Sequence, residues 1–571
     1  MRRTGAQMVW EILRREGVQI VFGYPGGAIL PVYDALVDYP IHHVLVRHEE
    51  NAALAADGYA RATGKVGVCM ATSGPGAMNL VTGLACAMLD SSPVVAITGQ
   101  VASHLVGSDA FQEVDVTGVT LPITKHNYLV NRVEELPRVM KEAFYIARSG
   151  RPGPVLIDIC KDAQMASTGF EYPESIELPG YRPVLRGPKE QIRQAAAYIN
   201  AAERPVILAG HGIILSGAND ELRELAERGN IPVSTTLLGI GGLPESHPLN
   251  LRMMGMHGQA YANMAIQEAD LLIALGMRFD DRVTGNLKAY APRAEVIHVD
   301  IDPAEIGKNV RADVGIVGDA KHVLRQILPF IEHRYRSAWF AQIERWRGDA
   351  GARDILNQGF PKDMLLAPYV IHEIWRGTGG DITVVSDVGQ NQMWEAQYFQ
   401  HDRQNQLITS GGLGTMGFAV PAAIGTKFGR PDDEVWAVVG DGGFQMSIPE
   451  LATVVQEKLP LKIAVINNGC LGMVRQWQEL LHDRRYSEIR IAGPNLVKLA
   501  DAYGIQGQRV RRPDDVAEAI RAARQCPGPV LTEFVVEPEV NVFPMVQPGK
   551  GLHEMLRRPM PSRIMAMAEK V

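Results

Sequence analysis

At 571 residues the chain is too long for a single hydrophobic core, and length alone divides it into about three or four domains. Its composition, 46% hydrophobic and 21% charged with 57 glycines, excludes a disordered or fibrous protein and fits a globular α/β one. A net charge of -7 with both signs interspersed offers nothing to nucleic acid or to an acidic membrane. Cys69, Cys86, Cys160, Cys470 and Cys526 are scattered without a C-x-x-C pair and read as reduced cytosolic thiols. The opening MRRTGAQMVWEILRREGV is an amphipathic helix carrying Glu11 and Glu16 rather than a secretory leader. No apolar run approaches the roughly 18 residues that span a bilayer, so the expectation is a mature cytoplasmic protein.

In chain order, residues 20–22 form an apolar strand running into the glycine-rich turn Gly23-Tyr24-Pro25-Gly26-Gly27-Ala28. A second strand, 44–46, leads through Arg47-His48-Glu49-Glu50 into an alanine-rich helix. Glu49 therefore stands where a strand enters a helix N-terminus. It is either a first-turn carboxylate stabilised by the helix dipole or a semi-buried acid aimed at a ligand, and local sequence leaves both open. Strand 66–70, a turn containing Thr72 and Pro75, a helix over 78–88 that includes Asn79, and strand 94–98 continue the alternation to Asp158. This is the pattern of a doubly wound parallel sheet. Residues 107–113 lack apolar periodicity and form a loop in which Phe111 and Gln112 are candidates for function or for plain packing.

The proline-dotted segment 167–189 reads as a linker. Beyond it, strands at 205–209, 233–236, 271–276, 296–300 and 317–319 end in Gly, Thr or Asp, as expected where a sheet's carboxyl edge holds a dinucleotide-sized ligand. No full G-x-G-x-x-G is present, and Gly210 and Gly212 in isolation are ordinary turn glycines. After a tryptophan-bearing helix (337–348) and a loose connection near 359–367, a third α/β block opens with strand 382–385 and Ser386-Asp387-Val388-Gly389-Gln390. Its glycine-rich loop, 410–417, precedes an alanine-rich helix. Strand 435–439 then runs into Gly440-Asp441-Gly442-Gly443, and strand 463–466 into Asn467-Asn468-Gly469-Cys470. A carboxylate (Asp441), an amide (Asn468) and a loop carbonyl (Cys470) at strand ends are hard oxygen donors suited to Mg²⁺. The glycines admit a diphosphate close to the main chain. The expected domains are 1–170, 188–345 and 365–571.

Eleven segments in order carry a family resemblance: FGYPGGAILPVYDAL, RHEENAALAADGYARATGK, SGPGAMNLVTG, DAFQEVDVTG, RPGPVLIDICKD, MGMHGQAYAN, GMRFDDRVTG, SGGLGTMGFAVPAAIG, GDGGFQMSIPEL, NNGCLGMVRQWQ and PGKGLHEML. Together they resemble the thiamine-diphosphate-dependent decarboxylases and carboligases, and within them the acetohydroxyacid synthase catalytic subunits. The resemblance implies pyrimidine-binding and diphosphate-binding domains flanking a central FAD-type domain. It also implies a reaction that joins a two-carbon unit from pyruvate to a second pyruvate or to 2-ketobutyrate. Glu49 matches the acid that hydrogen-bonds N1′ of the cofactor pyrimidine, with Thr72, Pro75 and Asn79 beside it. Met416 matches the bulky residue over which the cofactor bends, and Asp441, Asn468 and Cys470 match the Mg²⁺ ligands. Gly389, Gln390 and Gly414 match cofactor loops, as do Gly440, Gly442, Gly443 and Met473. Gly27, Gln112 and Lys161 match catalytic-side positions of the first block. Phe111, Arg282, Val474 and Trp477 match substrate positions, with Arg282 and Trp477 the pair expected to select the second ketoacid.

FAD positions of the family fall on Gly210, Gly212, Thr235, Met256 and His257, and further on at Gly276, Arg278, Asp300 and Asp319. The resemblance further implies a homodimer or homotetramer whose sites lie between subunits, and a small regulatory subunit. The chain departs from the family pattern at several points. Glu50 and Asn51 stand where Gln-Gly is usual, Asn391 where a histidine is, His211 where a glycine is, and Cys160 where a proline precedes Lys161. Glu49 separates the chain from glyoxylate carboligases, which lack that acid. RFDDRVTG with MVRQW favours the synthase over a pyruvate oxidase.

Overall fold

The computed structural model describes residues 2–361 and 363–560. Three six-stranded sheets, every strand parallel to its neighbours, carry helices on both faces. Inner strands are mostly apolar, as sheets covered on both sides require, and polar residues such as Thr98 and Gln100 are hydrogen-bonded, here to Asp158. Val94–Gln100, for example, is buried at all seven positions. The first sheet orders its strands His42–Leu45, Ile20–Gly23, Gly67–Ala71, Val94–Gln100, Val155–Cys160, His126–Val130. The third runs Leu407–Thr409, Thr383–Ser386, Val435–Gly440, Lys462–Asn467, Val530–Val535, Gln506–Val510. Counted along the chain within each sheet, both follow 2-1-3-4-6-5, so the first and third domains share one topology. The middle sheet follows 3-2-1-4-5-6, the dinucleotide-binding order, from Asn250–Met253 at one edge to Val314–Val317 at the other.

Three local differences from the sequence pattern have physical causes. Ser167–Gly169, which opens the stretch read as a linker, pairs antiparallel with Arg2–Thr4 and ties the N-terminus to the end of the first domain. The helix expected over 78–88 is two helices, Pro75–Asn79 and Val81–Asp90, with Leu80 closing the first. The last strand of the middle sheet is Val314–Val317, earlier than 317–319. Asp319 instead caps the helix Ala320–Ile327, accepting from the His322 amide at 3.1 Å.

The first and third domains pack directly on one another. Helix Glu49–Thr63 lies against helix Ala419–Gly429 with no room for side chains at the crossing. A Cβ on Gly58 would stand 2.2 Å from the Ala422 carbonyl oxygen, and one on Gly425 would stand 1.8 Å from that of Ala55. Alanines elsewhere on both helices complete the close approach, and one hydrophobic cluster runs through both sheets.

Candidate active site

Along the carboxyl edge of the middle sheet a cavity of about 1060 Å³ extends across to the third domain. On the middle-domain side its wall includes Gly212, Met256, His257, Gly276, Arg278 and the acids Asp300 and Asp319. Gly276 turns with φ +56, and its carbonyl oxygen would lie 2.3 Å from a Cβ on Gly210, so these two loops meet at main-chain distance. Gly210 and Thr235 stand behind the wall. Thr235 is fully buried and its hydroxyl has no hydrogen-bond partner. Burial pushes the Asp300 carboxyl up to about 6 and pulls the His257 imidazole down to about 4, so the histidine is neutral at pH 7. A long cavity over a sheet of dinucleotide-binding order, with main-chain turns free of side chains and acids at strand ends, fits FAD.

The far wall is built by the third domain from Gly389, Gly414, Met416, Met473 and Trp477. Met473 and Trp477 are one turn apart on helix Gly472–Leu481 and so share its inward face. Val474, off that face, is 44% exposed and does not line the cavity. Trp477 meets Arg282, whose guanidinium carbon lies 5.9 Å from the indole ring centre. Asp280 fixes the short helix carrying Arg282 by accepting from the amides of Arg282 (3.0 Å) and Val283 (3.2 Å). The expected selectivity pair is therefore assembled, with a cationic fork at the cavity mouth beside a flat apolar wall.

Two further groups of expected site residues lie outside this cavity. Glu49 is half-buried at the carboxyl edge of the first sheet, and its Oε2 accepts from Asn79 Nδ2 at 2.9 Å. Thr72 Oγ1 accepts from the Ala28 amide at 3.2 Å and braces the Gly26-Gly27 turn against the strand end. Burial and the neighbouring Glu49 carboxylate push the Tyr33 phenol well above its usual range. Gly27 is exposed, Pro75 is exposed, Phe111 is 87% exposed and Gln112 adopts φ +59, while Lys161 is half-buried at the start of helix Lys161–Met165. Within one chain Gly27, Pro75, Phe111 and Gln112 are exposed and Glu49 is partly so.

The other group is the diphosphate and metal side. Asp441 is buried with its carboxyl pushed up to about 6, by burial first and then by another acid, Glu533. Asn468 Oδ1 accepts from the Cys470 amide at 3.1 Å and Asn468 Nδ2 donates to Gln390 Oε1 at 3.4 Å. A buried carboxylate beside another acid, with an amide oxygen and a loop carbonyl next to it, suits a hard divalent cation such as Mg²⁺. Gln390 is held by Gln476 Oε1 (2.9 Å) and the Val540 carbonyl (3.1 Å), which makes it a strut behind the ligands. Space above the glycines differs from one to the next, and a Cβ on Gly442 would stand 3.1 Å from Ile491 and 3.3 Å from Leu471. A Cβ on Gly389 or Gly440 would meet only Asn391 Oδ1, at 3.0 and 3.3 Å. Gly443 has no such freedom, since its Cβ would stand 2.4 Å from Asp387 Oδ1.

Two buried acids that no local pattern marked hold these loops. Asp387 is fully buried and accepts from the amides of Val388 (2.8 Å), Gly417 (3.0 Å) and Ala419 (2.9 Å), fixing the main chain that follows Met416. Burial still pushes its carboxyl up to about 6. Asp90, from the first domain, accepts from the amides of Gly411 (3.1 Å) and Gly412 (2.6 Å) and pairs with the buried Arg61. Arg61 also pairs with Asp57 at 2.7 Å and donates to the Thr409 carbonyl at 2.6 Å. His211, where the family has glycine, joins the same cluster through Nδ1 and the Asp90 carbonyl at 3.0 Å. The available signal for Asp90 is a charge at the end of an otherwise apolar helix, Val81–Asp90, which demands a partner.

Residues 3–119 match the thiamine pyrophosphate enzyme N-terminal TPP binding domain, 192–327 the central domain and 387–534 the C-terminal TPP binding domain. Over 562 residues the chain is 52% identical to an acetolactate synthase of Mycobacterium bovis, covering 97% of this chain and 91% of the relative. It is 49% identical over 566 residues to a probable acetolactate synthase large subunit of Methanocaldococcus jannaschii, covering 97% and 95%. It is 48% identical over 562 residues to the acetolactate synthase isozyme 2 large subunit of Escherichia coli, covering 97% and 100%. Near-full-length identity at this level to bacterial and archaeal proteins of one kind, on top of all three domain matches, makes the chain a member of the acetolactate synthase large-subunit family of thiamine pyrophosphate enzymes.

Proposed function

We propose that the chain is an acetohydroxyacid synthase, which decarboxylates pyruvate and transfers the remaining two carbons to a second 2-ketoacid. The products are 2-acetolactate from pyruvate and 2-aceto-2-hydroxybutyrate from 2-ketobutyrate, at the first common step toward the branched-chain amino acids. The observation that carries this is the convergence of Arg282 and Trp477 on the cavity wall that also holds Met416 and Met473, in a chain about half identical to acetolactate synthases along its length. Thiamine diphosphate, when bound, supplies the carbon acid and the electron sink for decarboxylation. Glu49, with Oε2 taken by Asn79, keeps Oε1 for a proton shared with N1′ of the pyrimidine. Asp441, Asn468 and the Cys470 carbonyl would hold Mg²⁺ at the diphosphate. The Arg282 guanidinium binds the acceptor carboxylate while Trp477 shapes the space for its alkyl group. FAD would occupy the middle-domain side of the cavity in a structural role.

The exposure of Gly27 and Phe111, and in part of Glu49, supports a site completed between two copies of the chain, a homodimer or a larger homotetramer. Large-subunit names among the relatives support a smaller regulatory partner. No helix among the described residues is long and apolar enough to cross a membrane, in keeping with a cytoplasmic enzyme. The test is to incubate purified protein with thiamine diphosphate, Mg²⁺, FAD and pyruvate, with and without 2-ketobutyrate, and identify products. Acetohydroxyacids are expected. Acetaldehyde alone, or acetate formed with flavin reduction, would refute the assignment in favour of a decarboxylase or an oxidase.

A further inference from the structure

Burying a carboxylate is costly unless hydrogen bonds take up its charge. Glu450, nine residues beyond Asp441 in the third domain, is completely buried. Its Oε1 accepts from three groups of the first domain, the main-chain amides of Arg47 (2.8 Å) and His48 (3.2 Å) and the side-chain amide Nδ2 of Asn51 (2.9 Å). Its Oε2 accepts from Thr453 Oγ1 at 2.6 Å. The three first-domain donors bracket Glu49. Arg47 and His48 precede it, and Asn51 follows in the first turn of helix Glu49–Thr63. The helix's own N-cap, the His48 side chain, accepts only from the Glu50 amide at 3.3 Å. The two peptide units just ahead of Glu49, those that carry the Arg47 and His48 amides, are thus held from outside their domain, by charge-assisted bonds to one carboxylate. Asn51, one of the departures from the family pattern, supplies the third bond.

We propose, on the assignment of Glu49 made above, that Glu450 is a positioning residue that aims Glu49 at the cofactor pyrimidine. Glu450 itself stays out of contact with the ligand. Its place on the segment that begins with Asp441 adds a polar tie between the acid and the metal side of each chain to the close packing of helices Glu49–Thr63 and Ala419–Gly429.

The test is a double-substitution cycle on the full-length enzyme with Glu450→Gln, Glu49→Gln and the two combined. Three quantities are read: C2-proton exchange of bound thiamine diphosphate, thiamine diphosphate affinity by titration, and the thermal unfolding midpoint. Glu450→Gln keeps the shape and weakens the acceptor, so exchange should slow by about 10- to 10²-fold, the scale of a misaimed catalytic group, while cofactor affinity holds. In the Glu49→Gln background the same change should cost almost nothing further. Equal losses in both backgrounds, or no loss from Glu450→Gln alone, would overturn the positioning role while leaving Glu49 assigned. Unchanged exchange in Glu49→Gln would remove the assignment of Glu49 and the proposal with it. If Glu450→Gln does not fold, Asn51→Ala, which deletes one of the three bracketing donors, enters the same cycle with the same criteria.

Discussion

Replacing Arg61 with methionine would strand two carboxylates in the interior. Asp57 and Asp90 are both essentially inaccessible, at 0% and 1% exposure, and Arg61 is the cation that bridges them. The guanidinium also donates to Ser92 Oγ at 3.1 Å and to the Thr409 carbonyl at 2.6 Å, and it stacks 5.5 Å from the Phe418 ring. Methionine fills similar volume and preserves the contact with Phe418, so the loss isolates the charge. Removing one partner of a buried pair costs about 3–5 kcal/mol. At roughly 2–4 °C per kcal/mol for domains of this size, the unfolding midpoint should fall by about 6–20 °C. Because Asp90 also holds the Gly411 and Gly412 amides, the loop leading to Met416 should loosen, and cofactor affinity should fall with stability. Arg61→Lys keeps the charge without the planar fork and should fall between the two. The assay is thermal unfolding monitored by circular dichroism at pH 7, with thiamine diphosphate titration in parallel. A methionine variant within about 1 kcal/mol of the parent would refute the reasoning.

Other expectations are equally direct. Glu49→Gln should fold and bind cofactor yet slow C2-proton exchange by at least about 10²- to 10⁴-fold, and near-normal exchange would dismiss its assigned role. Asp441→Ala should weaken thiamine diphosphate binding in Mg²⁺ titrations rather than the chemistry alone, whereas unchanged affinity would place the metal elsewhere. Mixing Glu49→Gln with Asp441→Ala under subunit exchange should restore about a quarter of full activity, since half of the dimers are mixed and each mixed dimer has one intact site. No recovery after demonstrated exchange would mean that each site is built within one chain. Asp158 accepts from Thr98 Oγ1 (2.7 Å) and Gln100 Nε2 (2.8 Å), and burial raises its carboxyl from 3.8 to about 7. The folded state therefore holds a proton that the unfolded state releases, a contribution fully present below pH 3.8 and lost as pH rises through about 7. Relative to Asp158→Asn, the parent should lose about 1.4 kcal/mol per pH unit across that window in urea unfolding, and parallel profiles would count against a protonated Asp158.

Much of the architecture is a local property of the chain. Buried parallel strands are mostly apolar, so Pro205–Ala209, Leu271–Leu275 and the first four residues of Val94–Gln100 stand out as runs bounded by glycine, proline or polar residues. The turns at Gly440-Asp441 and Asn467-Asn468 lie at strand ends by simple succession, and the spacing of Met473 and Trp477 puts them on one helical face. Edge strands lack this signal. His126–Val130, Leu407–Thr409 and Gln506–Val510 are short or partly exposed and admit polar residues, and only pairing with a neighbour makes them strands. Everything that joins remote parts of the chain was decided by packing. Arg61 finds the Thr409 carbonyl, and Glu450 finds the amides ahead of Glu49, because helices Glu49–Thr63 and Ala419–Gly429 close to main-chain distance, while Arg282 finds Trp477 where the middle domain meets the third. A charge within an apolar helix announces that it needs a partner. Which partner it has depends on how the domains dock, since desolvation makes the pairing obligatory but only tertiary geometry can supply it.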